Sequence, residues 1–234
     1  MSAGPGTRPT VAAFDFDGTL TRGGSVLPFL VAVRGIAPTA LAVLRCLPGL
    51  VRGALFSGSA ADDAKEALFT QLLSGLPAAE VDRVAADFAE HHLRRRLRPD
   101  TRSRLDWHRK QGHRVVVVSA SPDCYVGPAA DLLGADAALA TRLAVSGHLV
   151  TGRYDGKNCR GAEKYARLAS WLRAEGLNGA GPNAPVLWAY GNSRGDLRLL
   201  QAADHGVDAG RLGRYGRLAR YPRLAAVIAD APPA

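Results

Sequence analysis

The sequence predicts an α/β fold, a parallel β-sheet with helices on both faces, interrupted by an all-helical insert. Three observations carry this. Short apolar runs alternate with helical patterns from Arg114 to Val207, the order that builds parallel strand–helix units. Three apolar runs, Val11–Phe14 near the start of the sequence and Val115–Val118 and Val186–Tyr190 within that alternation, end in small or polar residues. A stretch of about 22–98 carries helical patterning and no strand signal.

The first run, Val11–Phe14, reads as a buried strand. It ends in Asp15-Phe16-Asp17-Gly18-Thr19. Alternate side chains of an extended chain share a face, so Asp15 and Asp17 start on one side. Gly18 then permits a turn that a Cβ would hinder. Open α/β sheets carry their chemistry at such strand ends.

Next comes Val26–Phe56, rich in Leu, Val and Ala and broken by Pro28, Pro38 and Pro48. It reads as two or three short apolar helices, either the buried face of a helical layer or a hairpin touching lipid. The longest charge-free run, between Arg34 and Arg45, is ten residues, far below the roughly 20 that span a bilayer. Asp62 or Asp63 is expected to cap a helix over about Ala64–Ser74, and Ala78 or Ala79 to open one reaching Leu97. His91 and His92 lie in its last turns, where a solvated face is expected and a metal role is not.

Pro99 marks the return to the sheet. Helices are expected at Thr101–Gln111, Tyr125–Leu133 and Ala162–Glu175, with a helical turn at Asp196–Ala203. Strands are expected at Arg114–Ser119, Ala137–Thr141, Val186–Tyr190 and His205–Val207, with a hairpin over Leu143–Tyr154 around Ser146-Gly147. Arginine recurs at every third position from Arg211 to Arg223, a spacing that drifts around a helix. A solvated or partly disordered basic tail over 211–234 is expected there, in preference to a membrane-docking arm.

Composition narrows the classes. Hydrophobic residues make up 47% of 234, enough for one large core with a small insert. The net charge is +9, but aromatics are only 6% and no basic block interleaves with them, so nucleic-acid recognition is not expected. A basic surface favours anionic small molecules or lipid headgroups. The three cysteines, Cys46, Cys124 and Cys159, have neither disulfide nor zinc spacing. With no apolar leader visible, a reducing, cytoplasmic setting is expected, with peripheral contact at the inner membrane face as one form of it.

Four pieces in order, Asp15-x-Asp17-Gly18-Thr19, Ser119 at a strand end, Lys164, and Gly191-Asn192-Ser193-x-x-Asp196, resemble the haloacid dehalogenase superfamily of phosphohydrolases. The insert after the first motif resembles the helical cap of its phosphoserine phosphatase-like subclass. The resemblance implies a Rossmann-like parallel sheet core over 8–21 and 99–210 with an inserted all-helical cap over 22–98. It implies Asp15 as nucleophile, Asp17 as general acid and base, and phosphate binding by Gly18, Ser119, the backbone at Ala120, and Lys164. It implies Mg²⁺ held by Asp15, the Asp17 carbonyl, Asn192 and Asp196, the last through water or by orienting Lys164. The chemistry of the residues agrees: carboxylates form acyl phosphates, a second carboxyl group moves the proton, and a lysine balances phosphoryl charge.

Two departures matter. The family's usual first metal aspartate falls at Asn192, whose amide oxygen still suits a hard cation but carries no charge. Arg194 stands beside it, within reach of an ion pair to Asp196. The glutamate that meets the substrate ammonium in phosphoserine phosphatases falls at Gly24. The expected reaction is therefore Mg²⁺-dependent phosphomonoester hydrolysis through an aspartyl-phosphate. A lipid-linked or apolar ester such as phosphatidylglycerophosphate is one substrate class. Phosphoserine or another small metabolite is the alternative, and a non-catalytic phosphate- or lipid-binding module the second alternative.

Overall fold

The computed structural model describes residues 8–56, 59–180, 184–210 and 216–229. Its core is a five-stranded sheet of β1 (Thr10–Phe14), β2 (Arg114–Pro122), β3 (Ala137–Thr141), β6 (Val186–Gly191) and β7 (His205–Asp208), in the order β3-β2-β1-β6-β7. All four pairings are parallel. The chain winds one way through β1, β2 and β3, then crosses to the other side of β1 for β6 and β7. That reversal lies between β1 and β6, where open α/β sheets place their ligands.

Each buried strand shows two apolar faces. Ala12, Phe14, Val115 and Val117 join one core, and Val11, Ala13, Val116 and Val118 the other. The first face is covered by α5 (Pro99–Lys110) and α6 (Asp123–Leu133), through Leu105, Tyr125, Val126 and Leu133. The second is covered by α7 (Ala162–Ala174) and α8 (Leu197–Ala202), through Leu168, Leu172, Leu199 and Leu200. A strand buried on both faces reads as an unbroken apolar run, as β1 and β2 do.

The insert is four helices: α1 (Val26–Arg34), α2 (Ile36–Phe56), α3 (Ser59–Leu73) and α4 (Ala78–Arg96). Its two ends meet at one neck, where Thr21 bridges Leu97 and Arg22 N–H donates to the Arg96 carbonyl. It packs through α4 on α6, and through α3 on the antiparallel hairpin of β4 (Leu143–Ser146) and β5 (Leu149–Tyr154).

Three local readings change. Val26–Phe56 forms two helices, within the two or three expected, but α2 is not short: it runs 21 residues with Pro48 inside it. Pro48 removes the hydrogen bond to the carbonyl four residues back, at Leu44. Both residues lie on the exposed side, where the freed carbonyl is not sealed in the core. α3 begins at Ser59, which puts Asp62 inside its first turn rather than at a cap. His92 is buried and stacks on Phe88 at 5.1 Å; only His91 is exposed.

The expected solvated tail differs as well. Residues 211–215 and 230–234 lie outside the described residues. The part between them is ordered against the edge strand. Leu218 and Leu224 are buried, Asp208 N–H donates to the Pro222 carbonyl, and Arg223 pairs with Asp208 at 3.5 Å. A 3₁₀ turn, Gly216–Arg220, and the helix α9 (Leu224–Ala229) complete it. The three-residue arginine spacing hid Leu218 within it and Leu224 just after it.

One buried polar chain runs beneath the sheet. Arg104 Nε donates to the Tyr190 hydroxyl at 2.7 Å, which lies 2.8 Å from His108 Nε2, and His108 Nδ1 lies 2.8 Å from His113 Nδ1. With Arg104 donating, the Tyr190 proton goes to His108 Nε2, so His108 is neutral and donates onward from Nδ1. Burial, then Arg104 and His113, push its pKa down to about 2. The unfolded chain takes up this proton near pH 6.5 and the folded one does not. Stability is therefore fully present above about pH 6.5 and falls on acidification toward the folded pKa, by about 1.4 kcal/mol per pH unit for this one group. Urea denaturation between about pH 7.5 and 5 should show a slope shallower by about one proton in His108→Gln than in the wild type. Equal slopes would contradict a neutral His108.

Candidate active site

The site sits at the carboxyl ends of β1, β2 and β6. Asp15 follows β1 directly, and its N–H donates to the Tyr190 carbonyl of β6 at 2.9 Å. The residue is 6% exposed. Asp15 Oδ1 accepts from Lys164 Nζ at 2.5 Å, and Oδ2 from the Thr19 hydroxyl at 2.9 Å. Lys164 lies in the first turn of α7, 2% exposed, and donates also to Asp196 Oδ1 at 2.6 Å. One ammonium thus bridges two buried carboxylates contributed by distant segments.

Asp196 is itself a capping residue. Its Oδ2 accepts from Asn192 N–H at 3.1 Å, Ser193 N–H at 2.9 Å and the Ser193 hydroxyl at 2.8 Å. It closes a capping box on the 3₁₀ turn Arg194–Asp196, which satisfies donors that a helix start leaves orphaned. Both its oxygens are occupied, so its geometry orients Lys164. Arg194 is exposed and is not Asp196's partner; Lys164 is.

The electrostatics follow from this crowding. Burial, then the Asp196 and Asp17 charges, raise the Asp15 pKa to about 7 against the pull of Lys164. Asp196 is held below the usual carboxylate range: Lys164 and the Ser193 donors outweigh its burial. Burial disfavours the Lys164 ammonium, but Asp15 and Asp196 more than offset it and raise its pKa.

Asp17 is held by hydroxyls. Its Oδ2 accepts from Ser121 Oγ at 2.5 Å and Ser25 Oγ at 3.0 Å, and Ser25 lies 2.8 Å from the Tyr125 hydroxyl. Its Oδ1 is buried with no partner among the described residues. Burial, and then Asp17, raise the Tyr125 pKa well above normal, so the phenol stays protonated. Ser119 is buried in β2, and its Oγ accepts the Ser121 N–H at 3.0 Å, which leaves its own proton to donate. The Ala120 carbonyl turns the other way, accepting from Thr141 at 2.9 Å and from Lys65 Nζ of α3 at 2.5 Å.

Gly18 has φ +80, and a Cβ there would come within 2.0 Å of the Asn192 amide nitrogen. The turn therefore lets the Asn192 side chain lie against the backbone of the first motif. Arg98, 3% exposed, ties this turn to the end of β7, donating to the Gly18 carbonyl at 2.7 Å and the Ala209 carbonyl at 2.5 Å.

All eight residues singled out in the sequence thus belong to one connected cluster. Asp15, Lys164 and Asp196 bond directly, Asp17 meets Ser119 through Ser121, and Asn192 abuts Gly18. Sequence reasoning missed Thr19, Ser25, Arg98, Ser121 and Tyr125. It also missed Lys65, one of only four lysines, whose pKa burial lowers to about 8 against Asp17 and Asp62.

Among the described residues no three His, Cys, Asp or Glu side chains converge to hold a metal ion. An oxygen set with an amide in it remains: the Asp15 carboxylate, the Asp17 carbonyl and the Asn192 amide oxygen. These are hard donors of the kind Mg²⁺ takes. Burial is the main cause of the raised Asp15 pKa, and the Asp196 and Asp17 charges add to it; a divalent cation would favour the ionised carboxylate against both. The residues present fit that ion.

Comparison with known proteins bears on the fold and the family. A family model described as haloacid dehalogenase-like hydrolase matches residues 12–201. Protein CicA of Caulobacter vibrioides is 37% identical over 212 residues, covering 87% of each chain. The crystal structure of a protein with unknown function from Bordetella pertussis Tohama I superposes with a TM-score of 0.72 at 23% identity, over 86% of this chain and 90% of that one. A phospho-aspartyl intermediate analogue of phosphoserine phosphatase superposes with a TM-score of 0.60 at 20% identity, over 86% of this chain and 87% of that one.

Proposed function

The chain belongs to the haloacid dehalogenase-like hydrolase family, and we propose that within it this protein is a Mg²⁺-dependent phosphomonoesterase working through an aspartyl-phosphate on Asp15. The observation that carries the reading is the buried Asp15–Lys164–Asp196 chain. A carboxylate whose pKa is balanced near neutrality between a lysine and burial is suited to nucleophilic attack.

In the first step an Asp15 carboxylate oxygen attacks phosphorus in line with the leaving oxygen. The ester P–O bond breaks, and Asp17 gives its proton to the departing alkoxide. In the second step Asp17 takes a proton from water, which attacks the acyl phosphate. The Asp15–phosphoryl bond breaks and orthophosphate leaves. Lys164 balances charge on Asp15 and the phosphoryl group, while the Ser119 hydroxyl and the backbone N–H of Ala120 donate to phosphoryl oxygens. When bound, Mg²⁺ supplies further positive charge there, held by Asp15, the Asp17 carbonyl and Asn192. The amide at Asn192 lowers the site's charge by one relative to an aspartate, which weakens metal binding.

The hydroxyls of Ser121 and Ser25 fix the rotamer of Asp17 through Oδ2, which leaves Oδ1 to carry the moving proton. Ser121→Ala is expected to lower kcat about tenfold, the worth of one hydrogen bond to a charged group, with KM nearly unchanged. A variant with wild-type kcat would remove Ser121 from this role.

For the substrate, we favour a lipid-linked or apolar phosphate ester such as phosphatidylglycerophosphate. Gly24 offers no carboxylate for a substrate ammonium, and open space surrounds it. The insert carries exposed apolar residues on α1 and α2. No described helix is long and apolar enough to cross a membrane. The free thiols of Cys46, Cys124 and Cys159 accord with a reducing, cytoplasmic location. Turnover of an aryl phosphate, phosphatidylglycerophosphate and phosphoserine, each with and without Mg²⁺, tests both levels. Metal-independent turnover would overturn the reaction, and a clear preference for phosphoserine would overturn the substrate class.

A further inference from the structure

α2 buries only one side. Thr39, Ala42 and Cys46 face the interior. On the opposite side Ile36 is 75% exposed, Leu44 65%, Leu41 47% and Leu47 45%. Leu41, Leu44 and Leu47 recur at three-residue steps along this side of the helix, and Ile36 flanks them at its N-terminal end. Single exposed apolar residues need no explanation, but a continuous stripe does. Five of the eight exposed large hydrophobic residues among the described ones lie on α1 and α2, so the stripe is not a sample of the general surface.

The charge around it is one-sided. From Gly18 to Ala61 there is no aspartate or glutamate, while Arg22, Arg34, Arg45 and Arg52 occur. Arg34 and Arg45 are exposed. Pairing this face with a second copy would bring arginines against arginines without a carboxylate to meet them. An anionic surface with an apolar interior meets both properties at once.

We propose that the exposed face of α2 docks on an anionic lipid bilayer, the helix lying in the interface with its leucines in the acyl boundary and Arg45 at the headgroups. The inference rests on this face alone and not on the catalytic reading.

Flotation with vesicles of phosphatidylcholine, with and without about 30 mol% phosphatidylglycerol, tests it on the full chain. Binding to the anionic vesicles should exceed binding to the neutral ones by about tenfold or more and fall steeply at high salt. Ile36→Glu with Leu44→Glu should lose vesicle binding while keeping turnover of a soluble aryl phosphate, since both side chains are exposed. Arg45→Glu should weaken binding without removing apolar area, and Asp15→Asn should bind as the wild type does. Absence of vesicle binding at low salt, or binding unchanged in the double variant, overturns the proposal. So does a dimer in light scattering that the double variant dissolves, which would assign the face to a second copy.

Discussion

Asp15→Asn is expected to lower kcat by about three orders of magnitude or more, the scale of losing a covalent nucleophile. The change is nearly isosteric, so the fold should persist. The amide nitrogen cannot accept from Lys164 or Thr19, so one of the two bonds now made to Asp15 is lost while the other stays with the amide oxygen. Thermal unfolding should therefore shift little, or even upward. Burial and the Asp196 charge now oppose ionised Asp15, and a neutral amide removes that repulsion. A variant with normal turnover would show that another group attacks phosphorus.

Lys164→Met is expected to affect activity and stability together. Lys164 lies between Asp15 and Asp196, all three buried. Removing one member of a buried ion pair destabilises by about 3–5 kcal/mol, because the partner charge is left uncompensated. Here the chain relieves part of that loss by protonating Asp15, whose pKa already stands at about 7. Protonation then abolishes its nucleophilicity, so turnover should fall by at least about a hundredfold at neutral pH. Lys164→Arg should rescue little, since a planar guanidinium does not fit a point-charge site of this size. Urea denaturation and steady-state kinetics check the pair of effects. A loss of activity without loss of stability would mean that Lys164 acts only on the substrate.

The parts of this site that are legible in the sequence are those that local physics fixes. Val11–Phe14 and Val186–Tyr190 announce strands by apolarity alone, and Asp15, Asp17, Asn192 and Asp196 sit at their ends. Lys164 stands out by its rarity beside 26 arginines, as the 30 basic residues include only four lysines. What the sequence hides is set by packing across the fold. Ser25 and Ser121 meet at Asp17 although 96 residues separate them, and nothing in either neighbourhood marks that meeting. Nothing near Lys65 in the sequence marks that its ammonium reaches the Ala120 carbonyl at the end of β2. His92 looked solvated because its neighbour His91 is, yet one residue on a helix turns the side chain by about 100°. Pro48 read as a helix breaker because sequence alone does not say whether the carbonyl it orphans, at Leu44, lies on the exposed side.

The central claim is that Asp15 carries the phosphoryl group. The direct measurement is to mix the wild type with Mg²⁺ and a phosphodonor, quench in acid, and map the phosphorylated residue by mass spectrometry. An acid-stable, base-labile phosphoryl group on Asp15, absent in Asp15→Asn, is the predicted result. Steady turnover with no phosphoryl group on Asp15 at any quench time would contradict it.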